Sequence, residues 1–151
     1  VHCAGGRAMM EAAAQAVEKE ALKQGMPRSR VLGVTVLTSL SQAQFNDELG
    51  IPGMVQDTVV RWAELARDSG LDGVVASPRE ARAIREKCGL GFLIVTPGVR
   101  PAWADTQDQK RFTTPREAVE SGADYLVIGR PVTAAPDPVA AAQKIIAELE
   151  E

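Results

Sequence analysis

Thr114-Pro115-Arg116-Glu117-Ala118-Val119-Glu120-Ser121-Gly122-Ala123-Asp124-Tyr125-Leu126-Val127-Ile128-Gly129-Arg130 contains one full cycle of the local grammar that decides the fold. A hydroxyl residue able to cap, proline at the first helical position and glutamate three residues after the cap together open a helix. Ser121-Gly122 closes it, because glycine takes the left-handed conformation without steric cost. The apolar run Tyr125 to Ile128 then reads as a strand. The same order recurs upstream. Ser77-Pro78-Arg79-Glu80-Ala81 opens a helix that closes at Cys88-Gly89, ahead of the strand Phe92-Leu93-Ile94-Val95. An earlier helix closes at Ser69-Gly70, ahead of Gly73-Val74-Val75-Ala76.

With a further strand over Val31 to Leu37, these runs are nearly continuous in apolar residues, the pattern of strands covered on both faces. The helices between them carry apolar stripes. One is Val55, Val59, Trp62 and Ala66; another is Ala81, Ile84 and Cys88; a third is Val139, Ala142, Ile145 or Ile146, and Leu149. Alternation of strand and helix at this pitch predicts a parallel sheet, doubly wound or closed as a barrel. Loop lengths select the barrel. Helix-to-strand connections are all short, whereas two strand-to-helix connections, Ser39 to Pro52 and Pro97 to Thr114, are long, so elaboration is confined to the face where a TIM barrel binds substrate. The second loop is long enough to serve as a lid.

Composition narrows the function. The 151 residues carry 45% hydrophobic and 25% charged residues and a formal net charge of -3, ordinary values for a single globular domain spanning 1–151. No basic stripe suits nucleic acid, and no apolar run approaches the roughly 20 residues that cross a bilayer, so neither nucleic acid nor membrane is an expected partner and a cytoplasmic location is the default. Cys3 and Cys88 have no metal-binding spacing and read as reduced, partly buried thiols. His2 is the one histidine, which argues against a zinc site.

The opening Val1-His2-Cys3-Ala4-Gly5-Gly6 reads as the last residues of a strand entering a helix from about Arg7 to Lys23, with Met10, Ala13, Val17 and Ala21 on one side. Counting it, four or five strand-helix units are present, too few for an eight-stranded barrel of around 250 residues. The expectation is the C-terminal half of an α/β TIM (β/α)8 barrel, about strands 4 to 8, taken from a longer protein.

Two strand exits suit an anion. Ile128-Gly129-Arg130-Pro131 lets the backbone approach closely at glycine, offers amides at a following helix start and adds a guanidinium for charge-assisted hydrogen bonds. One strand earlier, Thr96-Pro97-Gly98-Val99-Arg100 repeats that chemistry. Glycine and arginine at consecutive exits predict one phosphate site.

The segments Val34-Thr35-Val36-Leu37-Thr38-Ser39, Val95-Thr96-Pro97-Gly98-Val99-Arg100-Pro101, Asp108-Gln109-Lys110-Arg111 and Ile128-Gly129-Arg130-Pro131-Val132-Thr133 resemble, in order, signatures of the orotidine 5'-phosphate decarboxylase family. His2-Cys3-Ala4-Gly5-Gly6-Arg7-Ala8-Met9-Met10 is similar to that family's fourth strand exit. The resemblance spans essentially the whole chain. It implies that Arg130 and the Gly129 amide bind the 5'-phosphate of a nucleotide monophosphate, that Gln109 closes over it, and that Arg100 and Thr38 bind substrate, with Ser39 touching the pyrimidine. It also implies decarboxylation without metal or organic cofactor, in pyrimidine biosynthesis, by an enzyme that is a homodimer when intact.

The family's reaction uses a lysine and aspartate array in an Asp-x-Lys segment followed by Asp-Ile-x-x-Thr, and no such succession occurs here. No catalytic residue is therefore expected in this chain, which alone should bind weakly and not turn over. Two other readings remain open at the level of sequence. One is a related phosphosugar barrel, a ketogulonate phosphate decarboxylase or pentulose phosphate epimerase; the other is a non-catalytic, self-associating half barrel.

Overall fold

The computed structural model describes residues 1–103 and 113–150. Four parallel strands, β1 (Leu32–Val34), β2 (Gly73–Val75), β3 (Leu93–Pro97) and β4 (Tyr125–Val127), form one sheet in sequence order. Helices α1 (Gly6–Gln24), α2 (Val55–Asp68), α3 (Pro78–Cys88), α4 (Pro115–Glu120), α5 (Arg130–Thr133) and α6 (Pro138–Glu150) alternate with them. The opening residues lie beside β1 as expected of a strand end. His2 makes a parallel bridge with Val34, and the Val34 amide donates to the Val1 carbonyl at 2.8 Å.

Helix boundaries follow the cap chemistry. At α4, Thr114 and Glu117 make the full reciprocal box, the Glu117 amide donating to Thr114 Oγ1 at 3.2 Å and the Thr114 amide to Glu117 Oε2 at 2.9 Å. At the start of α3 the Glu80 carboxylate still meets the hydroxyl and main chain of Ser77, but the cap bond from the helix falls one residue early. Ser77 Oγ accepts from the Arg79 amide at 3.3 Å, one residue short of Glu80. Gly70, Gly89 and Gly122 all have positive φ, as the stop signals require.

The strands are covered on one face rather than two. Gly33, Val74, Ile94 and Thr96 point toward the helices and are buried, whereas the alternate rows, Val34-Val75-Val95-Tyr125 and Pro97-Val127, point the other way. On that side Tyr125 and Val127 of β4 remain 55% and 51% exposed. Helix stripes shift correspondingly. In α2 the buried positions are Thr58, Val59, Ala63 and Ala66, with Val55 and Trp62 at the margin of the core. In α6 they are Ala141 and Ile145, leaving Val139, Ile146 and Leu149 exposed, because this last helix meets neighbours on one side only. α1 buries Met10 and Ala14, with Ala13, Val17 and Ala21 at intermediate depth.

β1 ends three residues before the expected Leu37. The Thr35 amide and hydroxyl both donate to the Val75 carbonyl, at 3.1 and 2.9 Å, and the chain then turns outward through Leu37–Leu40. The long connection that follows is pinned rather than loose. Phe45 is fully buried in a wide π-helical turn (Gln44–Glu48), while Gln42 and Asn46 donate to the Gly53 carbonyl at 2.9 and 3.0 Å.

At the opposite end of the sheet the repeat builds the same clamp twice. Asp72, entering β2, accepts from the Val31 amide at 2.6 Å and from Arg28 at 2.6 and 2.7 Å. Asp124, entering β4, accepts from the Ile94 amide and Arg85 Nη2, both at 2.7 Å. Each carboxylate ties its own strand to the strand before it. Burial by itself would raise the Asp72 pKa, but the Arg28 hydrogen bond, the Val31 amide and the charges of Arg28 and Arg30 outweigh it and hold it below the usual carboxylate value. A carboxyl depressed in the folded state adds stability above its unfolded pKa of about 3.9, and that stability is lost as pH falls through the folded value. The melting temperature of Asp72→Asn is therefore expected to depend less on pH than that of the parent protein below about pH 4. Superimposable acid limbs in a pH series of melts would show that the clamp carries no such linkage.

Candidate functional site

The loops at the C-terminal ends of β3 and β4 gather most of the residues expected to bind substrate. β3 and β4 are adjacent and parallel, with Pro97 paired to Val127. Arg100 and Arg130 are each the third residue beyond that pair, so equivalent steps of neighbouring strands carry the two guanidinium groups. Strands side by side in a sheet are about 4.8 Å apart. Both arginines therefore lie at the same end of one sheet.

The backbone around Arg100 is fixed by two contacts. Val99 bridges in parallel to Thr113, and the Arg100 amide donates to the Thr113 carbonyl at 3.1 Å, which brings the return limb of the loop back to the strand exit. Val99 is buried with Ala118, Ala123, Leu126 and Ile128 in a small apolar cluster beneath the exits of β3 and β4. Gly98 has φ 78, a conformation that L side chains rarely adopt. A side chain there would also meet Thr38: an added Cβ would lie 3.9 Å from Thr38 Oγ1. The exposed turn after β1 thus reaches across to the exit of β3, and Thr38 joins the same rim.

At β4 the expected helix start is reduced to one turn. Gly129 is the N-cap of α5, and its carbonyl accepts from the Val132 and Thr133 amides at 2.9 and 3.1 Å. Pro131 has no N–H. The turn therefore has Gly129 and Arg130 at its start without the row of helix-start amides that was expected. Gly129 and Arg130 are exposed, Arg100 is partly buried, and Ser39 is exposed beside Thr38.

Gln109 lies outside the described residues, as do Asp108, Lys110 and Arg111. Asp108-Gln109-Lys110 does have the Asp-x-Lys spacing, but it continues Arg111-Phe112-Thr113 without the second aspartate segment. The lysines of the described residues, Lys19, Lys23, Lys87 and Lys144, lie on α1, α3 and α6.

Two features were not singled out in the sequence. Trp103, on the outgoing limb of the loop after β3, has Lys144 of α6 5.4 Å above its ring, a cation–π contact joining loop to last helix. Thr96, inside the Thr-Pro-Gly segment, is fully buried with a hydroxyl that has no hydrogen-bond partner among the described residues. Residue type alone signals neither, since each depends on which neighbour the fold supplies. Burial pushes the Cys3 thiol up to about 11 and raises that of Cys88. An open groove of about 610 Å³ between α3 and α4 mixes Arg79 and Arg82 with Glu86 and Glu117 and is lined at one end by Thr113.

Known proteins match this chain along nearly all of its length. Residues 1–145 fit the model of the Orotidine 5'-phosphate decarboxylase / HUMPS family. The chain is 61% identical to an orotidine 5'-phosphate decarboxylase of Moorella thermoacetica over 99% of its length, and 55% identical to one of Syntrophomonas wolfei over 100%. It spans 60% and 64% of those two proteins. Among solved structures, the orotidine 5'-phosphate decarboxylase of Lactobacillus acidophilus superposes with a TM-score of 0.81 at 35% identity, over 100% of this chain and 62% of that one. With the family model fitting nearly every residue, the chain belongs to the orotidine 5'-phosphate decarboxylase / HUMPS family.

Proposed function

We propose that the intact protein converts orotidine 5'-phosphate to uridine 5'-phosphate, a carboxy-lyase reaction of pyrimidine biosynthesis, and that this chain supplies its phosphate-binding half. The observation that carries this reading is the register of β3 and β4, which sets Arg100 and Arg130 at equivalent steps beyond Pro97 and Val127. The relatives at 55–61% identity, all named orotidine 5'-phosphate decarboxylase, favour the pyrimidine substrate over a phosphosugar.

In this reading Arg130 and the Gly129 amide hold the 5'-phosphate, Arg100 adds a second guanidinium, Thr38 closes the rim near Gly98, and Gln109 covers the phosphate from the loop. These contacts lie far from the carbon that loses carbon dioxide. Remote binding energy speeds a reaction when it closes the site and is realised in the transition state, so this half acts by closure and orientation. The lysine and aspartate residues that perform the decarboxylation belong to a part of the protein outside these 151 residues. The half-buried Val75 and Val95 and the exposed Tyr125 and Val127, all on one side of the sheet, support a barrel interior whose remaining strands come from that part, and the intact enzyme is read as a homodimer.

Loss of the ultraviolet absorbance of orotidine 5'-phosphate, followed with the intact protein and with this chain separately, tests the reading. Turnover is expected from the first and none from the second. An intact protein that leaves the substrate unchanged, or this chain turning over unaided, would overturn it.

A further inference from the structure

Thr96 is the one buried side-chain polar group among the described residues that the fold leaves without a partner. A valine has the same shape and would avoid the penalty of desolvating a hydroxyl. The sheet is able to pair such a group, since Thr35, just beyond β1, donates to the Val75 carbonyl at 2.9 Å. What distinguishes Thr96 is its place. It immediately precedes the Pro97-Gly98-Val99-Arg100 turn, and its register partner Leu126 leads toward Gly129 and Arg130 on the adjacent strand. It therefore lies at the root of both anion-binding exits.

We propose that Thr96 is a positioning residue of the phosphate site: its hydroxyl holds the backbone of the 97–100 turn in the arrangement that grips the anion, a hydrogen bond made with substrate and not otherwise. The inference rests on the phosphate reading of these exits and deepens it. It predicts that stability and affinity respond in opposite senses to loss of one oxygen.

The test uses Thr96→Val and Thr96→Ser in the intact protein, with uridine 5'-monophosphate titrated calorimetrically and melting curves recorded with and without it. Thr96→Val is expected to melt at or above the parent temperature without nucleotide, yet to bind it about three- to tenfold more weakly, the scale of one net hydrogen bond. Thr96→Ser is expected to restore affinity to within about twofold of the parent. Equal affinity of parent and Thr96→Val would overturn the proposal. So would a Thr96→Val protein that melts lower or fails to fold, because the hydroxyl would then already be bonded in the fold. A parent protein that does not bind the nucleotide at all overturns the phosphate reading itself, and this proposal with it.

Discussion

Arg130→Ala in the intact protein is expected to weaken binding of uridine 5'-monophosphate by about ten- to 150-fold, equivalent to roughly 1.5–3 kcal/mol for hydrogen bonds to a charged group. The guanidinium and the phosphate are both ions, so the lost contacts are stronger than a neutral pair, and the effect should shrink as salt screens the remaining attraction. The fold should not change. Arg130 is exposed at the first position of a one-turn helix, outside both apolar clusters, where surface substitutions generally stay within about 0.5 kcal/mol. Arg130→Lys should recover part of the affinity, because an ammonium supplies the charge but not the planar fork. Arg116→Ala is the matched control. That arginine pairs with Glu120 on the surface of α4 at 3.8 Å, and its removal should leave nucleotide affinity unaltered. If calorimetry gave the same affinity for Arg130→Ala as for the parent protein, Arg130 would be removed from the site.

The order of elements was legible because each boundary is set by chemistry within four or five residues. Thr114 with Glu117, Pro78 and Pro115 at helix starts, and Gly89 and Gly122 at helix ends act before any tertiary contact forms. Less legible was which face of an apolar run meets the helices. Tyr125-Leu126-Val127-Ile128 is uniformly apolar, so periodicity cannot tell the buried Leu126 side from the exposed Tyr125 and Val127 side. The α6 stripe failed for the same reason. Ile145 and Ile146 are equally apolar, and the geometry of packing selects Ile145. At the site, Gly129-Arg130 and Gly98-Arg100 could be read from the local residue order at the strand exits, but their mutual placement depends on the Pro97 to Val127 register. The approach of Thr38 to Gly98 crosses β2, and the unpartnered hydroxyl of Thr96 is a property of its surroundings; neither leaves a trace in residue order.

The stability of that register leads to the second large effect, at the far end of the same strands. Asp124→Ala is expected to destabilise the protein by about 2–4 kcal/mol, because it removes the acceptor of a buried strand amide and of a charged side chain together. The Ile94 amide sits in a residue with no exposed surface and would lose its side-chain acceptor at 2.7 Å. Arg85, whose side chain is 15% exposed, would keep its bonds to the Gly89, Phe92 and Gly122 carbonyls, so its charge stays solvated by main chain and the loss falls short of a fully buried ion pair broken on one side. A fall in melting temperature on the order of 10 °C would follow for a domain of this size. Asp124→Asn keeps one acceptor oxygen and should lose about half as much, separating the geometric part of the clamp from its charge. Asp72 and Asp124 lie on strands separated by β3, so combining Asp72→Asn with Asp124→Asn should give additive losses within about 0.5 kcal/mol. A change below 0.5 kcal/mol for Asp124→Ala in chemical denaturation would mean that the β3–β4 pairing, and with it the alignment of Arg100 and Arg130, is maintained by the apolar cluster of Val99, Ala118, Ala123, Leu126 and Ile128 without help from the carboxylate.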